Sequence, residues 1–290
     1  MLKLRIGIRS ASLRLPFRQA LEKAAQLGAE AVEVDARTEV PPRALARTGV
    51  REIRKWLEDY NLRVCAVSFP TRRGYDVPED LDRRVEATKD ALQLAAKLGA
   101  RVVVNYVGRL DRSRCELPLG PKSTRDDTTR PVDHVGHLPE HPGAPQWSQL
   151  VEVLGDLGRY GQHVGATLAA RTGGESGADL ARLVQALPTG MLGVDFDPGG
   201  LLANGFSARE ALVALAPFVV HVHATDGVPD LAKGRGAETP LGRGAADIPE
   251  LLGVLEQQGY AGYLTVECER AEQPVAEVGR AVQYLRTLDS

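Results

Sequence analysis

Eight short apolar runs, each followed by a longer stretch with apolar residues at helical spacing, constrain this chain more than any other feature. The runs are 3–9, 31–35, 62–69, 101–107, 166–171, 191–197, 218–224 and 262–268. The stripes between them include Phe17, Leu21, Ala24 and Leu27, then Leu81, Val85, Leu92 and Ala96, and last Val275, Val278, Val282 and Leu285. Steps of three and four residues place side chains on one face of a helix, whereas short continuous runs suit strands buried on both faces. Strands joined through helices enter a sheet in the same direction. Eight such units in 290 residues are most economically closed as a single-domain (β/α)₈ TIM barrel spanning 1–290. A doubly wound open sheet is the alternative.

Helix ends support the same division. Gly28, Gly99, Gly165 and Gly259 each fall between a helical stretch and the next apolar run, where glycine tolerates the left-handed residue that closes a helix. Asp247-Ile248-Pro249-Glu250 reads as a helix start, with a capping Asp, Pro in the first turn and Glu three residues after the cap. One segment, 109–146, breaks the rhythm. It holds six of the 18 prolines, many charges and no apolar periodicity. As an insertion after the fourth strand it falls on the catalytic face of a barrel, and it reads as a flexible surface loop, easily cut by proteases. The functional alternatives are a lid over the mouth or an arm to a second copy in a homo-oligomer. His134, His137 and His141 lie inside it without a carboxylate or cysteine beside them, which favours adventitious rather than dedicated metal binding.

Charge and composition exclude several classes. A formal net charge of -2 leaves no broad basic surface for a nucleic acid backbone. No apolar run approaches the roughly 20 residues of a membrane helix, and the start MLKLRIGIRS has no signal-peptide core. A cytoplasmic protein is expected. The three cysteines, Cys65, Cys115 and Cys268, are widely spaced and suggest neither a disulfide framework nor a structural zinc site.

Side chains of barrel strands alternate between the interior and the helix layer, so parity becomes geometry. Thr167, Ala169 and Arg171 share a face; so do Asp195 and Asp197, His221 and His223, and Thr265 and Glu267. The last inward residues of strands five to eight are then Arg171, Asp197, His223 and Glu267, meeting at the C-terminal mouth. Taken singly, His223 could be a structural hydrogen-bonder, Asp197 a turn residue before Pro198-Gly199-Gly200, and Glu267 an arginine partner. Their shared phase is what makes a divalent-metal site of Asp, His and Glu worth expecting, with Mn, Mg, Co or Zn as the candidate ions. Glu33 and Asn105 end strands two and four and are candidates to hydrogen-bond the hydroxyls of a substrate, with a backbone-satisfied core role as the plain alternative. Arg235, with Lys233 and Arg243 in a Gly-rich segment, is a candidate phosphate ligand or a solvated loop charge.

The segments GVDFDPGGLLANG, VVHVHATD, PLGRGAADIPELLGVLEQQGY and GYLTVECERAEQPVAEVGRAV resemble the C-terminal half of xylose-isomerase-like sugar (phosphate) isomerases and epimerases, the AP endonuclease family 2 superfamily. LGAEAVEVDAR and FPTRRGYDVPEDLDRR resemble the N-terminal half. The resemblance implies one divalent metal held by Glu, Asp, His and Glu from strands five to eight, with the two glutamates moving protons between adjacent sugar carbons. Asp197, His223 and Glu267 match the last three ligands. Arg171 stands where LALETG or LAAETG would supply the first Glu; Gly200 replaces a His or Asn, and Thr225 replaces the Lys of H-x-K-D. A full site of three carboxylates, neutral His and a divalent ion sums to -1, and two carboxylates with Arg171 and neutral His again sum to -1.

The expected function is therefore that of a sugar or sugar phosphate isomerase or epimerase, with proton transfer next to a carbonyl, Glu267 as acid or base, and Arg171 as the second catalytic residue in a degenerate metal site where the ion is weak or absent. The alternative is a catalytically impaired barrel that binds a small ligand or partner. A nuclease of the endonuclease-IV type, which needs several metals and many His ligands, ranks last against six histidines. No nucleic acid or membrane partner is expected.

Overall fold

The computed structural model describes residues 4–108, 110, 145–229 and 236–289. Eight parallel strands close into a barrel in which the first strand pairs with both the second and the last. In chain order these are β1 (Arg5–Arg9), β2 (Ala31–Asp35), β3 (Arg63–Ser68), β4 (Val102–Asn105), β5 (Thr167–Arg171), β6 (Gly193–Phe196), β7 (Val219–Ala224) and, after a two-stranded ribbon, β10 (Tyr263–Val266). Each falls inside one of the eight apolar runs. Helices α1 (Phe17–Gln26), α2 (Arg47–Asp59), α3 (Leu81–Leu98), α4 (Pro145–Val164), α5 (Gly177–Gln185), α6 (Pro198–Ala203), α7 (Ala208–Leu215), α8 (Ile248–Gln257) and α9 (Pro274–Thr287) connect them. The ribbon, β8 (Asp226–Val228) and β9 (Ala237–Thr239), is antiparallel and follows β7. The insertion after β4 lies outside the described residues except for Leu110 and the start of α4, and so do His134, His137, His141 and Arg235.

The main core lies between strands and helices. Ile6, Ile8, Val32, Val34, Val103, Leu168, Val194, Phe196, Leu264 and Val266 pack outward against helical residues such as Leu21, Leu92, Leu154 and Leu285, all essentially inaccessible. Burial of this apolar surface drives the closure. Inside, a small apolar cluster of Ala66, Val102, Val104 and Ala169 is separate from that core. Above it the interior is charged, which reserves one end of the barrel for chemistry.

Local signals hold up at the helix ends. Gly28, Gly99, Gly165 and Gly259 have φ of 86°, 79°, 84° and 71°, the region that closes a helix at no steric cost only for glycine. The carboxylate of Asp247 accepts from the N–H of Glu250 at 3.1 Å and starts α8. Two register shifts matter for the site. One falls between Val32 and Glu33 against β3, the other between Val194 and Asp195 against β7. The second sets His221 beside Asp195, so that His221 and His223 straddle one carboxylate. Among the described residues no helix is long and apolar enough to cross a membrane.

Candidate functional site

Strand ends at the C-terminal mouth deliver charged side chains in two layers. The outer layer is Arg171, Asp197 and Glu267. Arg171 ends β5, Asp197 caps α6 directly after β6, and Glu267 follows β10. The Arg171 guanidinium donates through Nε and Nη2 to Asp197 Oδ2 at 2.9 and 2.7 Å, and through Nη1 to Glu267 Oε1 at 3.3 Å, with Nη2 also on Glu267 Oε2. Asp197 is saturated. Its Oδ1 accepts from the Gly200 N–H at 2.9 Å and from the Thr225 hydroxyl, while Oδ2 takes both Arg171 bonds. A carboxylate offers about four lone-pair positions, and here four donors use them. Glu267 also receives Arg9 Nη1 from β1.

The inner layer is Glu33, Asp195, His221 and His223, all at most 2% exposed. His221 Nδ1 and His223 Nδ1 meet Asp195 at 2.8 and 2.9 Å. His223 Nε2 lies 2.9 Å from Glu33 Oε2 and 3.7 Å from Glu267 Oε2, which links the two layers. His221 Nε2 lies 2.9 Å from the Thr265 hydroxyl oxygen. Arg9 reaches across both layers, 3.4 Å from Glu33 and 3.2 Å from Asp35.

Charges in this low-dielectric space shift one another. Burial alone would disfavour the Glu267 carboxylate, yet Arg171, His223 and Arg9 hold it well below the usual range. Asp195 is held down against its burial by His223 and His221. The reverse applies to His223: burial lowers its basicity, but Asp195 and Glu33 outweigh that and raise it well above the ordinary value. Burial also opposes the Arg171 charge, which Asp197 and Glu267 overcompensate.

All four mouth residues expected from parity therefore sit at one end of the barrel. Arg171, Asp197 and Glu267 touch, whereas His223 turns inward to Asp195 and Glu33. Glu33 lies in the inner layer under Arg9 rather than facing the mouth. The Asn105 amide is committed to neighbours: it accepts from the Thr71 N–H at 2.9 Å and donates to the Tyr75 hydroxyl at 2.8 Å. Among the described residues, the group whose ligand atoms converge, within 4.8 Å, is Glu33, His221 and His223. It is one layer deeper than the expected Asp197, His223 and Glu267.

Several residues were not singled out from sequence. Arg9 is one, although it is the last inward residue of β1 by the same parity with Arg5 and Gly7. The mouth itself is a cavity of about 160 Å³ between Arg171, Tyr106, Glu238, Glu269 and Arg270. Glu238 comes from the ribbon; burial raises its carboxyl above the ordinary range, and Glu269, Glu267 and Asp197 add to the effect. Asp226, the last residue of the H-x-K-D-like segment, anchors the loop beyond the ribbon. Its carboxylate accepts from the N–H groups of Gly227, Gly242, Gly244 and Ala246 at 2.8 to 3.1 Å.

A closed parallel barrel with converging ionisable groups at its C-terminal mouth defines a (β/α)₈ protein of the kind that carries active sites there. The chain belongs to the xylose isomerase-like TIM barrel family, whose pattern matches residues 21–288. It is 24% identical over 261 residues to an inosose dehydratase from Clostridium botulinum (strain Alaska E43 / Type E3), covering 82% of this chain and 80% of that protein. Its fold is similar to that of a xylose isomerase domain protein from Planctomyces limnophilus, with a TM-score of 0.79, 22% identity and coverage of 99% and 97% of the two chains. A xylose isomerase-like TIM barrel protein from Mycobacterium smegmatis in complex with magnesium aligns with a TM-score of 0.72 and 16% identity over 100% and 97%.

Proposed function

We propose that this chain is a sugar isomerase/epimerase-like barrel that binds a carbonyl-bearing sugar or cyclic polyol at its mouth, with the Arg171 guanidinium in the place of the divalent cation. The observation that carries the reading is the double fork of Arg171 onto Asp197 and Glu267. These are two of the positions that the family resemblance assigns to metal ligands. A metal does not fit that donor set: Asp197 is saturated by protein donors, Glu267 is shared by two arginines, and His223 turns inward with its Nδ1 2.9 Å from Asp195. An arginine cannot coordinate a cation, but its planar donors can hold a carbonyl or enolate oxygen. The substrate class is supported by the relatives, whose name denotes loss of water from inosose, a ketone-bearing cyclic polyol. Proton movement would fall to a carboxyl at the mouth. Glu267 is the residue given by motif, and Glu238, with its raised carboxyl, faces the same cavity.

A second reading has its own observation. Arg9 and Arg171 hold Glu267 ionised and occupy its oxygens, which suits a ligand-binding barrel better than a proton-transfer base. Incubation with keto sugars or inosose in D₂O separates the two. Deuterium entering the carbon next to the carbonyl supports turnover; binding without exchange supports the ligand-binding barrel.

The cation replacement is tested by calorimetric titration of metal-stripped wild type and Arg171→Glu with Mn²⁺ and Co²⁺, after removing the three histidines of the 109–146 segment. The variant restores the family's four ligand types and removes a positive charge from beside the ion. It should bind one more equivalent than wild type, and that equivalent should vanish in Arg171→Glu/Asp197→Ala. A wild-type site that is as tight and equally dependent on Asp197 would mean that Arg171 does not take the ion's place.

A further inference from the structure

Beside the acidic mouth, on the same face of the barrel, lies a second and larger cavity of opposite charge. It measures about 670 Å³ and is formed by the loops after β2 and β3 and by the first turns of α3. Six arginines line it against two aspartates, in a chain whose net charge is -2. One aspartate, Asp90, is already paired with Arg43 at 2.7 Å.

Two of the arginines are fixed without being neutralised. Arg84 is clasped by the backbone carbonyls of Val77 and Glu79. Arg37 donates to the Pro70 carbonyl at 2.7 Å and lies 5.9 Å over the Phe69 ring. Carbonyls and a ring orient a guanidinium and leave its full charge available. Arg73 lies 3.9 Å from Glu79, whereas among the described residues no ion pair engages Arg72 or Arg83. The floor between these cations is apolar, with Ala36 and Phe69 at 1% and 8% exposure. Two fixed forks, Arg37 and Arg84, and the unpaired Arg72 and Arg83 around a concave apolar floor suit a compact anion with an organic body. A long polyanion fits poorly, because its path across this face meets Glu238 and Glu269 at the mouth.

We propose that this cleft is a binding site for a small phosphate-bearing molecule, read by Arg72, Arg83 and Arg84. The proposal is independent of the role given to Arg171. The test is isothermal titration of the full chain at low ionic strength with inorganic phosphate, pyrophosphate and a hexose bisphosphate. Pyrophosphate is expected to bind at one equivalent, with affinity falling as salt is added. Arg72→Ala/Arg83→Ala should weaken it roughly tenfold or more. Arg84→Lys, which keeps the charge but cannot span two carbonyls, should weaken it as well. Arg54→Ala, in a separate basic cavity lined by Arg5, Arg63 and Arg101, should leave it unchanged. Tighter binding of the hexose bisphosphate would identify an organic phosphate that uses the floor; equal binding would identify the diphosphate alone. No pyrophosphate binding, equal loss in Arg54→Ala, or heparin binding as tightly per charge would overturn the proposal. None of these results bears on metal binding by Arg171→Glu.

Discussion

Replacing Arg171 by methionine isolates what its charge does for this fold. Methionine retains an unbranched stem and removes every donor. Arg171 is about one-tenth exposed and makes four donor contacts to Asp197 and Glu267. Breaking a buried ion pair by deleting one partner costs about 3–5 kcal/mol, because the other charge stays buried. Here the stranded carboxylates keep part of their support. Asp197 retains the Gly200 N–H and the Thr225 hydroxyl, and Glu267 retains Arg9. The loss should therefore sit near the lower end, about 3 kcal/mol, or roughly 6–12 °C in Tm for a chain of this size. The pH dependence carries the sign. Glu267 has a folded pKa depressed below its unfolded value. Its contribution is thus fully present above about pH 4.3, where an unfolded glutamate titrates, and is lost as pH falls toward the folded value. Removing Arg171 lessens the depression, so the gap between wild type and Arg171→Met should be wide at pH 7 and narrow below about pH 4.3. Urea unfolding followed by circular dichroism at both pH values measures it. A difference under about 0.5 kcal/mol at pH 7, the size of a surface substitution, or a gap that widens in acid, would refute the reasoning.

Two further outcomes follow from contacts around the mouth. A Cβ at Gly200 would meet Asp197 Oδ2 at 2.5 Å, so Gly200→Ala should destabilise by about 1–3 kcal/mol, and by less in the Arg171→Met background, as a double-mutant cycle would show. Asp226→Ala leaves four N–H groups without their acceptor; hydrogen exchange at Gly242, Gly244 and Ala246 should rise at least about tenfold while β1 and β10 keep their protection.

The barrel is legible in the sequence because its signals are periodic and local. Each apolar run contains one strand, and the glycines that end helices need no tertiary context to be read. Strand parity also brings Arg171, Asp197 and Glu267 together. What parity does not contain is side-chain direction. His223 is on the inward face as expected, yet it turns to Asp195 and Glu33, because the register shift at Val194/Asp195 sets both histidines around one carboxylate. Asn105 is committed to Thr71 and Tyr75, residues about thirty positions away in sequence, which no pattern along β4 reveals. Arg9 carries the same parity signal as the others. An arginine on the first strand is no metal ligand, although an acidic interior needs such a cation. The ribbon has strands of three residues, too short for alternation to register, and with it Glu238 escapes notice.

Arg171, Gly200 and Thr225 fit together around the Asp197 carboxylate. Arginine at position 171 brings to the mouth a positive charge that reaches Asp197 and Glu267 directly. To accept its fork on Oδ2, the Asp197 carboxylate folds back onto the start of its own helix, and only glycine at position 200 leaves room for that oxygen. The remaining oxygen then needs a donor, and Thr225 supplies a neutral hydroxyl there while accepting the Gly199 N–H at 3.0 Å. A lysine at that position would add a second cation where Arg171 already meets the charge. Together these residues give Asp197 a closed set of four hydrogen bonds. At this mouth the Asp197 and Glu267 carboxylates are met by a fixed guanidinium. On the proposed reading, EDTA treatment should leave the stability of the wild-type chain unaltered and lower that of Arg171→Glu loaded with Mn²⁺.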